Sequence, residues 1–504
     1  MKLYLETSNN IKSVNNSDIP LLSYEEFSKV LTDLLNEQTN HCLCYFAIEV
    51  DAKLKFICSV ADDKNNKIYI LSHERSKDDL VLNSLTPAHM QLHIFEREIA
   101  ENFGVVFKGH PWFKPVRYPH DRFDRSNVIN TYPFFKIEGD ELHEVGVGPI
   151  HAGVIEPGHF RFICNGEKVL HLEIQLGYQH RSVEELFISK DDALKRSILS
   201  ESIAGDTTVG HALTHCQLIE SLADFTPPDD LQIERCIALE LERIAIHIGD
   251  TSALCTDVGY QLGQVVCEAL RTTIINTTQF WCGNRFGKGL IRPFGTNYPL
   301  SEKTVEEIIK ILDDSGKRYF DIAERIYTLP SVLSRFDGIG SVTNEQALKI
   351  GAVGMAARTS NIPRDIRISH PFQFYKKITP NIVLLDSGDV LARGMLRYSE
   401  VKESIALIRK LLEEWIKAEK SQRKPDYNYN LKPNRYGIST VEGWRGEICH
   451  IALTDENGKL SNYKVKDPSL HNWLALALAV RDQEISDFPI CNKSFNLSYC
   501  GNDL

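Results

Sequence analysis

The sequence predicts an α+β protein, with a small N-terminal α/β domain followed by a mainly helical domain that carries β-hairpins at its start and near its end. Three observations carry this. Alternating and β-branched stretches concentrate at His41–Val60 and Lys67–Leu71. Apolar residues recur at helical spacing through most of residues 190–420. Asn165-Gly166 and Asn457-Gly458 each lie between alternating segments, where Asn-Gly supplies the backbone freedom that a tight turn needs.

Residues 1–20 are polar and Asn-rich and read as a loose N-terminus. The small domain is expected over residues 21–116, with a helix from Tyr24 to Leu35 ahead of the strands. Near its end Phe95, Ile99 and Phe103 fall four apart on one helical face, and Gly104 closes that helix as a left-handed cap. Residues 117–147 hold Pro, Tyr, Asp and Arg without a period and read as a linker. The second domain, residues 148–504, opens on a hairpin of His159–Cys164 and Val169–Ile174. Ile233, Ile237, Leu241, Ile244 and Ile248 form one helical stripe, Thr304-Val-Glu-Glu307 reads as a capping box, and Ser399–Glu419 reads as a further helix. Tyr436–Lys466 alternates and turns at Glu456-Asn457-Gly458; a short helix near Trp473–Val480 and an irregular tail finish the chain.

The 504 residues, 42% of them hydrophobic and 25% charged, suffice for several buried cores. A formal net charge of -11 gives no general attraction for phosphate backbones, so nucleic acid is excluded as a partner. No apolar run is long enough to span a bilayer, and the start lacks the basic and apolar regions of a signal peptide. A cytoplasmic location is expected, with membrane contact only through other subunits. None of the twelve cysteines forms a C-x-x-C pair, which argues against metal ligation and for small buried apolar residues in a reducing compartment. Neither a G-x-G-x-x-G nor a P-loop motif occurs, so NADH chemistry would belong to a partner.

The run Phe95–Trp112 resembles the signature of the complex I 30-kDa subunit, which also forms the N-terminal part of formate hydrogenlyase and hydrogenase-4 large subunits. Gly148-Pro-Ile-His151, Glu156-Pro-Gly-His159-Phe-Arg161 and Leu176-Gly-Tyr-Gln-His180-Arg-Ser-Val-Glu184 resemble the complex I 49-kDa subunit and the [NiFe]-hydrogenase large subunit. Glu240-Leu-Glu-Arg243 with His247, Gly283-Asn-Arg285, Asp365-Ile-Arg367 and Gly388–Arg393 follow as further landmarks. The resemblance implies a peripheral-arm subunit working beside ferredoxin-like and small Fe–S subunits, on antiporter-like membrane subunits. Fe–S clusters, and NADH or ferredoxin, would then sit on those partners.

In the hydrogenases two C-x-x-C motifs give four soft thiolates to nickel and iron. Aligned on Glu201–His211, the first motif has Ala204 and Thr207 in place of cysteine; the second has Asn496 and Tyr499, with Cys500 one residue along. No metal ligands are therefore assigned. The resemblance places Glu156 at the carboxylate that passes protons beside nickel, Glu184 at an acidic or magnesium-binding position, and Arg445 beside the iron. Asp206 adds a carboxylate within the altered motif, and these four are the candidate catalytic residues. The structural alternative is that Arg445 merely pairs with Glu156 or Asp206. A quinone pocket is the second option, with His151, His159, His180 and His211 as candidate cofactor contacts. Arg243, Arg285 and Arg393 read as framework residues held by salt bridges, and His110 and Trp112 as domain packing. Proton-coupled electron transfer without a nickel–iron centre leads; quinone reduction and a non-catalytic scaffold are the alternatives.

Overall fold

The computed structural model describes residues 2–7, 13–153 and 155–504. Strands β1 (Leu5–Thr7), β2 (Val14–Asn15) and β3 (Leu21–Leu22) lead into helix α1 (Tyr24–Asn36) and the long strands β4 (Asn40–Val50), β5 (Lys53–Asp62) and β6 (Lys67–Ser76). Ser23 and Glu26 cap α1 reciprocally, each side chain accepting from the other's amide, which satisfies two donors that a helix start would otherwise leave open. The sheet runs β1-β6-β5-β4, with β3 parallel beside β6. Strands β7 (Val81–Asn83) and β8 (Val106–Lys108) pair in parallel on either side of α2 (His93–Phe103) in the chain, and α2 ends at Gly104 with φ 72°.

The expectation of a loose N-terminus is corrected within the described residues; Met1 and residues 8–12 lie outside them. Leu5–Thr7 pairs with Ile68–Ile70, while Val14 and Asn15 pair with Tyr436 and Arg435 from the far end of the chain. Open sheet edges on both domains recruit this polar segment through its backbone, which composition does not report. The 117–147 segment likewise ends in a strand, β9 (Leu142–Val147), which joins β10 (His159–Asn165) and β11 (Lys168–Gln175) in a three-stranded sheet.

Helices follow: α3 (Val183–Ser189), α4 (Ala193–Ser200), α5 (Thr208–Leu222), α6 (Asp229–Asp257), α7 (Gln261–Cys282) and α8 (Glu302–Ile326). The predicted Ile233-to-Ile248 stripe lies on α6 and is buried along its whole length. No capping box forms at Thr304–Glu307. Ser301 caps α8, its hydroxyl accepting from the Thr304 amide, so Thr304 is already inside the helix. Four short helices, α9 (Pro330–Phe336), α10 (Asn344–Lys349), α11 (Gly354–Arg358) and α12 (Ile366–Ser369), precede α13 (Val390–Lys417), which packs along α6.

Strands β12 (Arg435–Glu442), β13 (Glu447–Thr454) and β14 (Leu460–Lys466) form a meander whose free edge takes β2. This sheet shares a core with the N-terminal domain: Tyr436, Ile438 and Ile451 pack with the buried faces of β4 and β5, and the Tyr436 and Ser59 hydroxyls are 2.8 Å apart. The tail is helical rather than irregular. After α14 (Ser469–Ala479) come α15 (Phe488–Phe495) and α16 (Tyr499–Asp503), and Leu504 is 1% exposed. Short polar-rich segments of this kind carry little periodic signal, and burial against the helical core orders them. Among the described residues no helix is long and apolar enough to cross a membrane.

Candidate functional site

The site forms where the loop before α5 meets the β12–β13 turn and the C-terminal helices. Arg445, in that turn, grips Asp206 with both terminal nitrogens, Nη1 and Nη2 each 2.6 Å from a different carboxylate oxygen. Its Nε donates to the Asn496 carbonyl at 2.5 Å and its Nη1 to the Thr207 hydroxyl at 3.1 Å. The guanidinium lies 4.0 Å over the Trp444 ring, whose indole N–H donates to the Asp206 carbonyl at 2.9 Å. Burial alone would depress the Arg445 pKa, but the Asp206 carboxylate outweighs it and drives the pKa upward. Arg445 is thus a fixed positive charge, with Asp206 as the carboxylate of a bidentate pair.

Glu156 approaches from the other side, where its Oε2 accepts from the Tyr499 amide at 3.3 Å. Cys500 adjoins Glu156. Burial first, then the Glu156 charge beside it and, more weakly, Asp206, push its thiol up to about 11. Arg445 therefore pairs with Asp206 rather than with Glu156, and the Cys500 thiol feels the charge of both carboxylates. The donors gathered here are carboxylate, hydroxyl, carbonyl and one thiol held protonated. They do not fit a four-thiolate nickel–iron centre, which needs soft, deprotonated sulfur.

Glu184 belongs elsewhere. Its Oε2 accepts from Lys464 Nζ at 2.8 Å and its Oε1 from the Val465 amide at 2.9 Å. Lys464 also reaches Glu98 of α2 at 2.7 Å, and Glu98 pairs with Arg117. A lysine ammonium fills the cation role at this acidic position and ties the N-terminal domain to β14. Three of the candidate histidines bond backbone carbonyls. The His151 Nε2 is 2.7 Å from the Gly158 carbonyl, His159 Nδ1 3.1 Å from the Gly148 carbonyl and His180 Nδ1 2.8 Å from the Asp503 carbonyl. These three rings fasten loops through backbone oxygens; His151 and His159 both lie against Gly148, while His180 stands apart at the C-terminal helix. His211 is fully buried between Asp467 and His450.

Two neighbours escaped the sequence reading. Glu242 accepts from the first amides of α5, Val209 at 2.7 Å and Gly210 at 3.1 Å, and lines a small recess with Asp206, Arg285 and Phe286. Desolvation lifts its carboxyl to about 8, with the nearby Asp206 charge adding to the rise and the two amides opposing it. Such a group changes protonation near neutral pH. Its signal was its place in Glu240-Leu-Glu242-Arg243, one position before the landmark arginine. Asp467 is the other, visible only as the residue before Pro468.

Of the framework arginines, Arg243 bonds Glu240 at 3.2 Å and Glu400 at 3.4 Å. Arg393 differs from expectation: it donates to the Ser494 hydroxyl and the Gly388 and Gly340 carbonyls and stacks on Phe495, because its surroundings expose backbone oxygens rather than carboxylates. Arg285 is exposed over the Phe286 ring. Trp112 packs between domains as expected, its indole N–H 3.3 Å from Glu173 and its ring stacked on His93; His110 bonds the His93 carbonyl.

Residues 21–134 match the family "Respiratory-chain NADH dehydrogenase, 30 Kd subunit" and residues 257–503 the family "Respiratory-chain NADH dehydrogenase, 49 Kd subunit". Hydrogenase-4 component G of Escherichia coli (strain K12) is 24% identical over 430 residues, covering 81% of this chain and 73% of its own length. Formate hydrogenlyase subunit 5 of the same organism is 24% identical, covering 81% of this chain and 74% of its own. A carbon monoxide-induced hydrogenase of Rhodospirillum rubrum is 29% identical over 357 residues, 70% of this chain and 97% of its own. The chain thus joins domains of the complex I 30-kDa and 49-kDa subunit families in one polypeptide and is homologous to oxidoreductase subunits such as hydrogenase-4 component G and formate hydrogenlyase subunit 5.

Proposed function

We propose that the chain is a peripheral-arm subunit of a complex I-like, membrane-associated oxidoreductase, and that it couples electron transfer in a partner Fe–S subunit to proton movement through the Asp206–Arg445–Glu156 cluster. The observation that carries this reading is the retained charge around a site without thiolates: a fixed cation, two carboxylates and the near-neutral Glu242 converge where soft ligands would otherwise stand. A group with a pKa near the working pH loads and releases protons most readily. Arg445 occupies both Asp206 oxygens, so Glu242 is the carboxyl of this recess left to take up a proton. Attachment to the inner face of the membrane would come through partner subunits related to antiporters.

The test is substitution within the assembled complex. Glu242→Gln and Glu156→Gln should lower turnover by roughly 10²-fold or more while the complex stays intact. Full turnover in intact variants would leave the chain a scaffold. Photolabelling of His151 or Asp206 by a quinone analogue, with turnover inhibited by it, would instead favour quinone reduction.

A further inference from the structure

A second polar array runs away from the Asp206–Arg445 pair into the interior. His211 and His215 lie one turn apart on α5 and face β13 and β14. Asp467 Oδ2 is 3.1 Å from His211 Nε2, and His211 Nδ1 is 3.1 Å from His450 Nε2. His450 Nδ1 is 2.9 Å from the Tyr463 hydroxyl, which is 2.9 Å from His215 Nδ1. All five side chains are buried, and Phe187 stacks on Tyr463 at 4.0 Å.

The order of donors along this array follows from its first member. An ionised carboxylate only accepts, so His211 must carry its hydrogen on Nε2 and offer a bare Nδ1. His450 must then donate from Nε2 and accept at Nδ1. Tyr463 donates to that nitrogen, and its oxygen accepts from His215 Nδ1–H. The bare atom left at the end is His215 Nε2, and it is a buried nitrogen that meets no protein partner among the described residues. One orphan acceptor, at the position the donor order demands, is what a wire with an open inlet leaves behind.

We propose that Asp467, His211, His450, Tyr463 and His215 form a directional proton wire that delivers a proton from the Arg196 side of the protein to the Arg445 cavity. A proton from solvent bonds to His215 Nε2; the Nδ1–H bond breaks as its proton passes to Tyr463 oxygen. The tyrosine proton moves to His450 Nδ1, the His450 Nε2 proton to His211 Nδ1, and the His211 Nε2 proton to Asp467 Oδ2. No electrons move. The net result is one proton taken up at His215 and one carboxylate neutralised beside Arg445. Burial holds His215 and His450 below the usual histidine range, so neither ring carries a charge at rest. Burial would raise Asp467, but the hydrogen bond it accepts from His211 and the Arg445 charge overcome that and hold it below the usual carboxylate range. Half-buried Arg196 and Tyr429 lie at the inlet; the Arg196 and Arg292 charges act on His215, and those of Tyr429 and Arg196 on Tyr463.

The transport role rests on the proposed function, but the donor order does not, and it is measured on the free full-length chain. With ¹⁵N-labelled histidine, nitrogen shifts should show His211 and His450 as neutral Nε2–H tautomers and His215 as the rarer Nδ1–H tautomer, assigned by single His→Gln variants. In Tyr463→Phe, His215 should revert toward Nε2–H. An Nε2–H tautomer at His215 in the unmodified chain would overturn the wire, whatever the complex does. In the assembled complex Tyr463→Phe should lower turnover by roughly tenfold or more and raise the solvent deuterium isotope effect. Unchanged turnover and isotope effect there, with Glu242→Gln still impaired, would overturn the transport role while leaving the proposed function standing.

Discussion

Carboxylates and guanidinium groups meet in two clusters near α6, and the clusters differ in how much water they see. In the first, Arg358 bridges Glu400 at 2.5 Å and Glu442 at 2.7 Å, Arg367 bridges Asp365 at 2.6 Å and Glu240 at 3.0 Å, and Arg243 joins Glu240 to Glu400. The exposures of these side chains lie between 0% and 4%, and Tyr375 and Ser404 each donate to Glu240 at 2.6 Å. In the second, the Asp206 side chain is 35% exposed although Arg445 is 4%. Charges sealed on every side act as struts between α6, α11, α13 and β12. Where one partner opens to water, the pair keeps a polar face to solvent. The same residue types thus stand sealed in one place and partly open in the other, and exposure of the carboxylate is what differs.

Removing a strut should give the largest effect. Arg358→Met leaves Glu400 and Glu442 buried without their shared cation, and should cost about 3–5 kcal/mol in denaturant unfolding of the chain. A loss below 1 kcal/mol would dissolve the distinction between the clusters. Arg445→Met should cost less, about 1–3 kcal/mol, since Asp206 can turn to water. It should nevertheless lower turnover of the complex at least as much as Arg358→Met lowers that of the surviving folded fraction.

Glu242 sharpens the comparison through pH. Its folded pKa of about 8 lies above the unfolded carboxyl value of 4.5, so the folded state holds the extra proton between them. That contribution is fully present below pH 4.5 and is lost as pH rises through 8. Stability of the unmodified chain relative to Glu242→Gln should therefore fall between pH 5 and 8, by on the order of 1 kcal/mol after allowance for solvent screening. A flat difference across that range would remove Glu242 as a proton acceptor. The smallest effect belongs to the exposed pair Lys349–Glu345 on α10, where Lys349→Ala should leave the thermal unfolding of the chain nearly unchanged.

Much of the architecture was legible because it repeats a local period. The α6 stripe, the α2 run with its Gly104 cap and the β10–β11 hairpin each express one local rule, and each stands where the sequence places it. The site was legible only in part. Glu156, Asp206 and Arg445 come together from residues some 50 to 290 positions apart in sequence, and the family motifs alone flagged them. Glu184, flagged by the same motifs, joins a domain-bridging ion cluster, since only the fold brings Lys464 beside it. Glu242 and Asp467 gave no motif of their own, because their roles come from what surrounds them.

Strand and helix periods, the missing C-x-x-C pairs and the order of family landmarks were determined by the sequence alone, because each depends on neighbours within a few residues or on residue identity. The pairing of β2 with β12, the bidentate hold of Arg445 on Asp206, the raised carboxyl of Glu242 and the donor order from Asp467 to His215 were decided by the tertiary structure. Desolvation and hydrogen-bond partners set protonation, and both are fixed only when distant segments pack.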